Sequence, residues 1–412
     1  MKNNNNYLND ISVSKHGIHD LLLDLAYKFN FDGLLFSKKY LIVFVALCAG
    51  LILFNNPTAT YIADKLKWVS HDAITRFLTL ISINNNNIII LFIQTLQSQT
   101  AHLGYLIIDD VIIRKPYGKS IFPTGYVYDH TNNQYIWGMH VVVLLWSNGW
   151  IKIPIAFRIW IPKDKCETYH TKGELALDMI SFVHQFGLAV EYVTFDTWYT
   201  SKAILVKLKI YGYSYVCMVK SNRKVMYNNR IKLDVKTISL LFNKDQFRYY
   251  RATGYYIKAI EVYMPGIGKV KLAIVKNGYS ATIQNTRFII TDMLDTPAQD
   301  ILKKYLSRWD IECFFRDIKQ HLNFEKVQAR NPEKLEGYFS VIFLSFIFLQ
   351  ILQVKNNFNT VGETVSYLQD IVQVKVNNVV YIINVTSNDC KSKQVNDVTD
   401  PVATTIWDKL SA

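Results

Sequence analysis

The stretch Lys304-Tyr305-Leu306-Ser307-Arg308-Trp309-Asp310-Ile311-Glu312-Cys313-Phe314-Phe315-Arg316-Asp317-Ile318-Lys319 decides how this chain is read. As a helix it aligns Tyr305, Arg308, Glu312 and Lys319. At about 100° per residue, Arg308 falls roughly 40° from Glu312, and Tyr305 and Lys319 fall within roughly 20° of it. One stripe therefore carries a carboxylate, two cations and a phenol. Trp309, Ile311, Phe314, Phe315 and Ile318 lie at other angles and can bury the helix. Taken alone, such a face is an ordinary solvated surface with Arg308 and Glu312 as an i,i+4 pair. A carboxylate that holds a metal, flanked by cations that hold phosphate, is also what phosphoryl transfer on nucleic acid requires. The rest of the chain decides between the two.

Upstream, the helix opens near Pro297, a residue suited to a first turn. Phe288 to Met293 before it reads as a strand. Gly104 to Ile113 is an apolar strand carrying Asp109 and Asp110. Tyr135 to Trp146 and Trp150 to Ile161 are β-branched and aromatic, split by Ser147-Asn148-Gly149, which is a hairpin signal. Gly173 to Gly187 is an amphipathic helix, and Val190 to Asp196 a short apolar strand ending in an acid. Thr200 to Tyr211 is a helix and Tyr213 to Lys220 a strand. Hairpins first imply antiparallel pairing, and crossovers then imply parallel pairing. The order fits an α/β fold with a ribonuclease-H-like mixed sheet. Residues 221–287 interrupt it with polar strands and turns at Asn228-Asn229, Pro265-Gly266 and Asn277-Gly278. The expected division is a helical DNA-binding region at 1–100, the first part of the core at 101–220, an inserted β subdomain at 221–287, core completion at 288–355 and a C-terminal region at 356–412.

The chain has 412 residues, half of them hydrophobic, enough for a large core. Lys and Arg total 46 against 33 Asp and Glu, a formal charge of +13. That excess favours a polyanionic partner. The cysteines Cys48, Cys166, Cys217, Cys313 and Cys390 are scattered, with no Cys-x-x-Cys pair. They suggest a reducing compartment, hence a cytoplasmic, nucleoid-associated protein. Leu41 to Phe54 is apolar but shorter than the roughly 20 residues of a membrane span, so it reads as a core helix. Tyr338 to Leu352 reads the same way, and no membrane partner is expected. The Asn-rich start gives no structural signal. Thr58 to Ser82 is a candidate helix-turn-helix: Trp68-Val69 in the turn, Ser70 as N-cap, His71, Asp72, Thr75 and Arg76 outward, and Ala73, Ile74, Phe77 and Leu78 inward. An ordinary pair of core helices would read alike.

Asp109-Asp110 and Asp196 stand near the ends of apolar strands, where an acid is costly unless hydrogen-bonded, paired or coordinating metal. Each alone could cap a turn. With Glu312 on a helix packed over the strand ends, three carboxylates could gather. Such a cluster repels itself unless cations enter, and two Mg²⁺ or Mn²⁺ ions about 3.5–4 Å apart would satisfy it. Asp310 and Glu325 read as solvated surface acids.

The spacing Tyr-x₂-Arg-x₃-Glu-x₆-Lys at Tyr305, Arg308, Glu312 and Lys319 resembles the signature of the DDE transposases of bacterial insertion sequences, in the insertion-sequence-four-like group. Asp196-Thr197-Trp198-Tyr199 resembles that family's second motif. Ile108-Asp109-Asp110-Val111 resembles its first, Asp-x-Thr, with Val111 where the family has Thr. The resemblance covers residues from about 58 to 355. It implies a ribonuclease-H-like core with a β insertion, cleavage of transposon-end DNA and strand transfer to target DNA. It implies divalent metal held by Asp109, Asp196 and Glu312, with Asp110 as the alternative first ligand. Tyr305, Arg308 and Lys319 would hold phosphates, with Arg316 and Arg76 as further DNA contacts. Two protomers would pair two DNA ends. A related metal-dependent nuclease that cuts without joining, or a decayed DNA-binding descendant, would carry similar motifs.

Overall fold

The computed structural model describes residues 38–370 except 101, 130–131, 229–230 and 280–281, together with 374–376 and 379–381. The Asn-rich start and the stretch after 381 lie outside the described residues. In chain order the helices α1 (Lys38–Leu53), α2 (Ala59–Leu66), α3 (His71–Phe77) and α4 (Ile88–Thr100) come first. Strands β1 (Tyr105–Arg114), β2 (Gly125–Asp129), β3 (Gln134–Ser147) and β4 (Lys152–Trp160) follow. Then come α5 (Lys172–Gln185), β5 (Val193–Phe195), α6 (Lys202–Ile210) and β6 (Tyr215–Val219). Next are β7 (Lys224–Tyr227), β8 (Ile231–Asp234), α7 (Val235–Leu240), β9 (Arg248–Tyr250), β10 (Tyr255–Met264), β11 (Gly268–Lys276) and β12 (Thr286–Thr291). Helices α8 (Ala298–Leu306), α9 (Trp309–His321), α10 (Pro332–Lys355) and α11 (Val361–Asp370) and the hairpin β13 (Val374–Val376) and β14 (Val379–Tyr381) complete it.

The chain divides into two compact units: Met1–His102 with Ile112–Met139 and Phe314–Ala412, and Leu103–Val111 with His140–Cys313. The first is mainly helical. Its helix α1 is buried almost throughout, so the apolar run from Leu41 serves a core. Phe44 of α1 meets Phe348 of α10 edge to face at 5.6 Å. Helix α10 starts with Pro332 at N1 and its Asn331 cap accepting from the Lys334 N–H. It is long and apolar enough to cross a membrane, yet most of it is buried within the fold. Gly337 allows the close approach at its start, since a Cβ there would stand 1.9 Å from the Leu78 carbonyl oxygen. The two helices expected within Thr58–Ser82 form as α2 and α3. Thr58 and Ser70 cap them by accepting from the Tyr61 and Ala73 N–H groups. Lys67 turns the chain at φ 54°. Ile74, Phe77 and Leu78 are buried and His71, Asp72 and Arg76 exposed, as the pattern requires. Ala73 and Thr75 are intermediate, the Thr75 hydroxyl bonding back to the His71 carbonyl.

A mixed sheet runs in the order β2-β3-β1-β5-β6-β12-β11-β10-β7-β8, with β4 also paired to β3 and β9 beside β10. Strands β3 and β4 pair antiparallel. Strands β1, β5 and β6 pair parallel. This is the ribonuclease-H-like mixed α/β fold expected from the strand order. The strands at 224–276 make no separate sheet: β11 pairs with β12 across six residues, so they extend the same one. The cause is legible in β11, where Leu272, Ala273, Ile274 and Val275 are buried on both faces, a pattern that only a central strand can use. Helix α8 covers one face through Ile301, Leu302 and Tyr305, which join Val216, Ile257, Val275 and Ile289 in a core. Each such aliphatic side chain contributes about 1.5–3 kcal/mol on burial.

One expectation needs correction. The sequence from Pro297 to Lys319 is two helices, not one, broken at Ser307–Arg308. The Ser307 hydroxyl bonds the Lys304 carbonyl at 2.7 Å and the Tyr192 hydroxyl at 3.0 Å. These bonds compete with helix continuation, and the Arg308 N–H turns back to Tyr305 instead. Trp309, expected to bury the helix, is 60% exposed because the break places it at the start of α9. Ile311, Phe314, Phe315 and Ile318 are buried.

Candidate active site

The parallel register Leu106↔Val193, Ile107↔Thr194, Ile108↔Phe195 places Asp109 and Asp196 one step beyond the last pair, at matched positions on neighbouring strands. Matched residues of adjacent strands share a face at about 4.8 Å strand spacing. The sequence placed Asp109-Asp110 near the end of a strand reaching Ile113; β1 runs to Arg114, and its pairing with β5 ends at Ile108. Period-two alternation sends Asp109 and Asp110 to opposite faces.

On one face lies Asp109. Its Oδ1 accepts from the Asp110 N–H at 2.9 Å and its Oδ2 from Arg308 Nη1 at 2.7 Å. The Arg308 guanidinium also bonds Glu312 Oε1, so it bridges the two acids. Arg308 thus keeps its i,i+4 relation to Glu312 while its other nitrogen reaches Asp109 on β1. Burial, joined by the charges of Asp110 and Asp196, pushes the Asp109 carboxyl up to about 7 against the pull of Arg308. Burial also raises Asp196, offset by the Trp198 and Tyr199 N–H groups that donate to its Oδ1 at 2.8 and 3.4 Å. Burial works against the Arg308 charge, but Asp109, Tyr305 and Glu312 outweigh it and hold the group more firmly cationic.

On the other face Asp110 is enclosed. Its oxygens accept from Lys172 Nζ at 3.0 and 2.9 Å and from the Tyr199 hydroxyl at 2.8 Å, and Oδ2 lies 2.7 Å from His140 Nδ1. Burial opposes the charge, yet the bonds from His140 and Lys172 prevail and hold this carboxyl down at about 2. Lys172 begins α5, where Thr171 and Glu174 form a capping box.

The other expected residues fall as follows. Tyr305 is buried in the α8 core, its hydroxyl 3.7 Å from Met218 Sδ and beside the Arg308 guanidinium. Lys319 lies two turns past Glu312 on α9 and pairs with Glu325 at 2.8 Å. Arg316 is half exposed and sits 3.5 Å from Asp317. Arg76 is exposed on α3. Asp310 is no solvated surface acid: its Oδ2 accepts from the Tyr105 hydroxyl at 2.8 Å and the Ser147 hydroxyl at 2.5 Å. His140 and Lys172 escaped the sequence reading. A histidine inside the apolar run of β3 was the available signal; Lys172 gave none.

Carboxylate oxygens suit a hard divalent cation. Asp109 fits one further, because burial leaves its charge poorly compensated. Among the described residues, however, no three His, Cys, Asp or Glu side chains converge at metal-holding distance. Arg308 takes the bridging place between Asp109 and Glu312.

Two family profiles match the chain. That of the DDE superfamily endonucleases matches residues 45–232. That of "Archaeal putative transposase ISC1217" matches residues 157–361. Both are transposase-type DDE nuclease families, which act on DNA and whose nucleases generally use divalent metals. No curated protein matches the chain.

Proposed function

We propose that this protein is a DNA transposase of the insertion-sequence-four-like kind, cutting the ends of its own element and joining them to target DNA. The observation that carries this is that Asp109 and Asp196 each directly follow the last registered pair, Ile108↔Phe195, of two adjacent parallel strands, with Arg308 linking Asp109 to Glu312. Asp109 is then the first metal ligand and Asp110 is not, since Asp110 faces away and its oxygens are taken by Lys172, Tyr199 and His140. Asp109, Asp196 and Glu312 would hold Mg²⁺ or Mn²⁺. Bound there, two such ions supply an activated water or 3′-hydroxyl and stabilise the leaving oxygen.

The chain's own groups do the rest. Arg308 screens the acids and presents a fork of donors suited to a phosphate. Tyr305 supports that guanidinium from the core. Lys319 and Arg316 on α9, and Arg76 on α3, serve as DNA contacts, with α2 and α3 as a helix-turn-helix. Two protomers pair the two ends, on chromosomal DNA in the cytoplasm.

The test incubates the full chain with duplex DNA from the sequences flanking its own gene and Mn²⁺, with Glu312→Gln as control. Cleavage followed by joining to a target plasmid is expected from the wild type and neither from the variant. Cutting without joining would make it a nuclease of the same chemistry. Equal cleavage by Glu312→Gln would remove the site.

A further inference from the structure

The pairing of β1 with β5 stops at Ile108↔Phe195, one residue short of the acids. Past that point the backbone ladder no longer holds Asp109 opposite Asp196, and like charges in a buried setting drive them apart. Something else must fix their separation.

The tie runs behind the strand, through Tyr199. Its side chain is almost wholly buried. Its hydroxyl donates to Asp110 Oδ1 at 2.8 Å, on β1 just past the end of the β5 pairing. Its N–H donates to Asp196 Oδ1 at 3.4 Å, in the turn leaving β5. One residue thus spans the gap where the ladder ends. Both anchors are themselves held. Asp110 is fixed by Lys172 at the start of α5 and by His140 on β3. The Asp196 turn is fixed by the Thr200 hydroxyl, which donates to the Asp196 carbonyl at 2.9 Å and to the Met218 carbonyl on β6 at 2.7 Å. Asp110 is therefore a hub joining β1, β3, α5 and the Asp196 turn.

We infer that this hub is a positioning device for the metal-binding acids, and that Tyr199 is the positioning residue through which it sets the spacing of Asp109 and Asp196. The inference rests on the reading of those acids as a metal site. Outer groups that orient ligands are worth about 10- to 100-fold in metal affinity. Tyr199→Phe removes only the hydroxyl and leaves Asp110 two partners, so the fold should survive.

The experiment titrates Mn²⁺ into full-length wild type, Tyr199→Phe and Glu312→Gln and follows free Mn²⁺ by electron paramagnetic resonance. Tm is measured without metal. In Tyr199→Phe, Mn²⁺ affinity is expected to fall about 10-fold or more. Its metal-free Tm should stay within about 3 °C of wild type. Cleavage of the flanking-sequence duplex should recover at high Mn²⁺. Thr200→Val loosens the same turn from its other side and carries the same expectation if Tyr199→Phe does not fold. Wild-type Mn²⁺ affinity in the folded variant, whatever its Tm, would make the hub a stabilising feature alone and overturn the inference. A wild type that binds no Mn²⁺, or a Glu312→Gln that binds it as tightly as wild type, would instead defeat the reading of the acids as a metal site.

Discussion

The two faces of β1 treat adjacent, chemically identical side chains in opposite ways. Asp110 is met by an ammonium, a phenol and an imidazole. Asp109 has one guanidinium, shared with Glu312, and one backbone N–H. Both are largely enclosed, yet one carboxyl is held down at about 2 and the other pushed up to about 7. A satisfied buried acid builds structure, whereas a poorly compensated one holds open a demand for positive charge. The contrast sets the proposed metal ligand apart from the residue proposed to position it, a distinction that two neighbouring letters in a sequence do not carry.

The largest effect expected from this contrast is on activity. Asp109→Asn should lower metal-dependent cleavage on the order of 10³-fold while leaving the chain folded, because in the proposed mechanism it removes a ligand to the metal that would stabilise the transition state. Asp110→Asn should act first on stability. It leaves Lys172 and His140 facing a neutral amide in a buried site, at a cost of about 3 kcal/mol. Denaturant unfolding and cleavage assays on both variants decide the matter. If Asp110→Asn keeps its stability and loses cleavage as Asp109→Asn does, the assignment of the two faces is reversed.

Much of this was legible in advance. The strand and helix order gave the mixed sheet, because apolar runs and their breakers report burial directly. The acids and the Arg308–Glu312 pair were visible as an i,i+4 relation. The face of each aspartate was not, because register between strands is set by pairing partners far away in the chain. Nor was the helix break, which depends on a tertiary bond between Ser307 and Tyr192. Across that break Tyr305 is buried in the α8 core while Arg308 beside it bonds Asp109 on β1. Strands β10 and β11 read as part of an insertion from the polar residues and turns of 221–287, while their place in the same sheet follows from the apolar middle of β11, which pairs with β12.

A middle-sized effect tests whether Arg308 stands in for cationic charge at the acids. Without metal at pH 8, Arg308→Gln should cost about 2 kcal/mol, less than breaking a fully buried pair, since Asp109 can take up a proton instead. Saturating Mg²⁺ should return most of the loss if the acids bind it. Calorimetry with and without Mg²⁺ reads both quantities, and a loss that Mg²⁺ leaves untouched would show that Arg308 is only a structural partner.

The smallest effect sharpens the comparison most, because the two aspartates should give mirror-image pH dependences in the metal-free protein. Asp109 has a folded value raised from 3.8 to about 7. Between those values the unfolded chain has released a proton that the folded chain keeps, so this group lowers stability as pH rises from about 4 to 7. Asp110 has a folded value lowered from 3.8 to about 2. Its contribution is present above about 4 and is lost as pH falls toward 2. Asp109→Asn should therefore gain on wild type by a few degrees in Tm as pH climbs from about 4 to 7, and gain no more above it. Asp110→Asn should lose its deficit relative to wild type only below about 4, where the wild-type acid itself becomes neutral. Parallel Tm–pH curves for the two variants would mean that the strand offers both acids the same environment, and the difference between its faces would have to be abandoned.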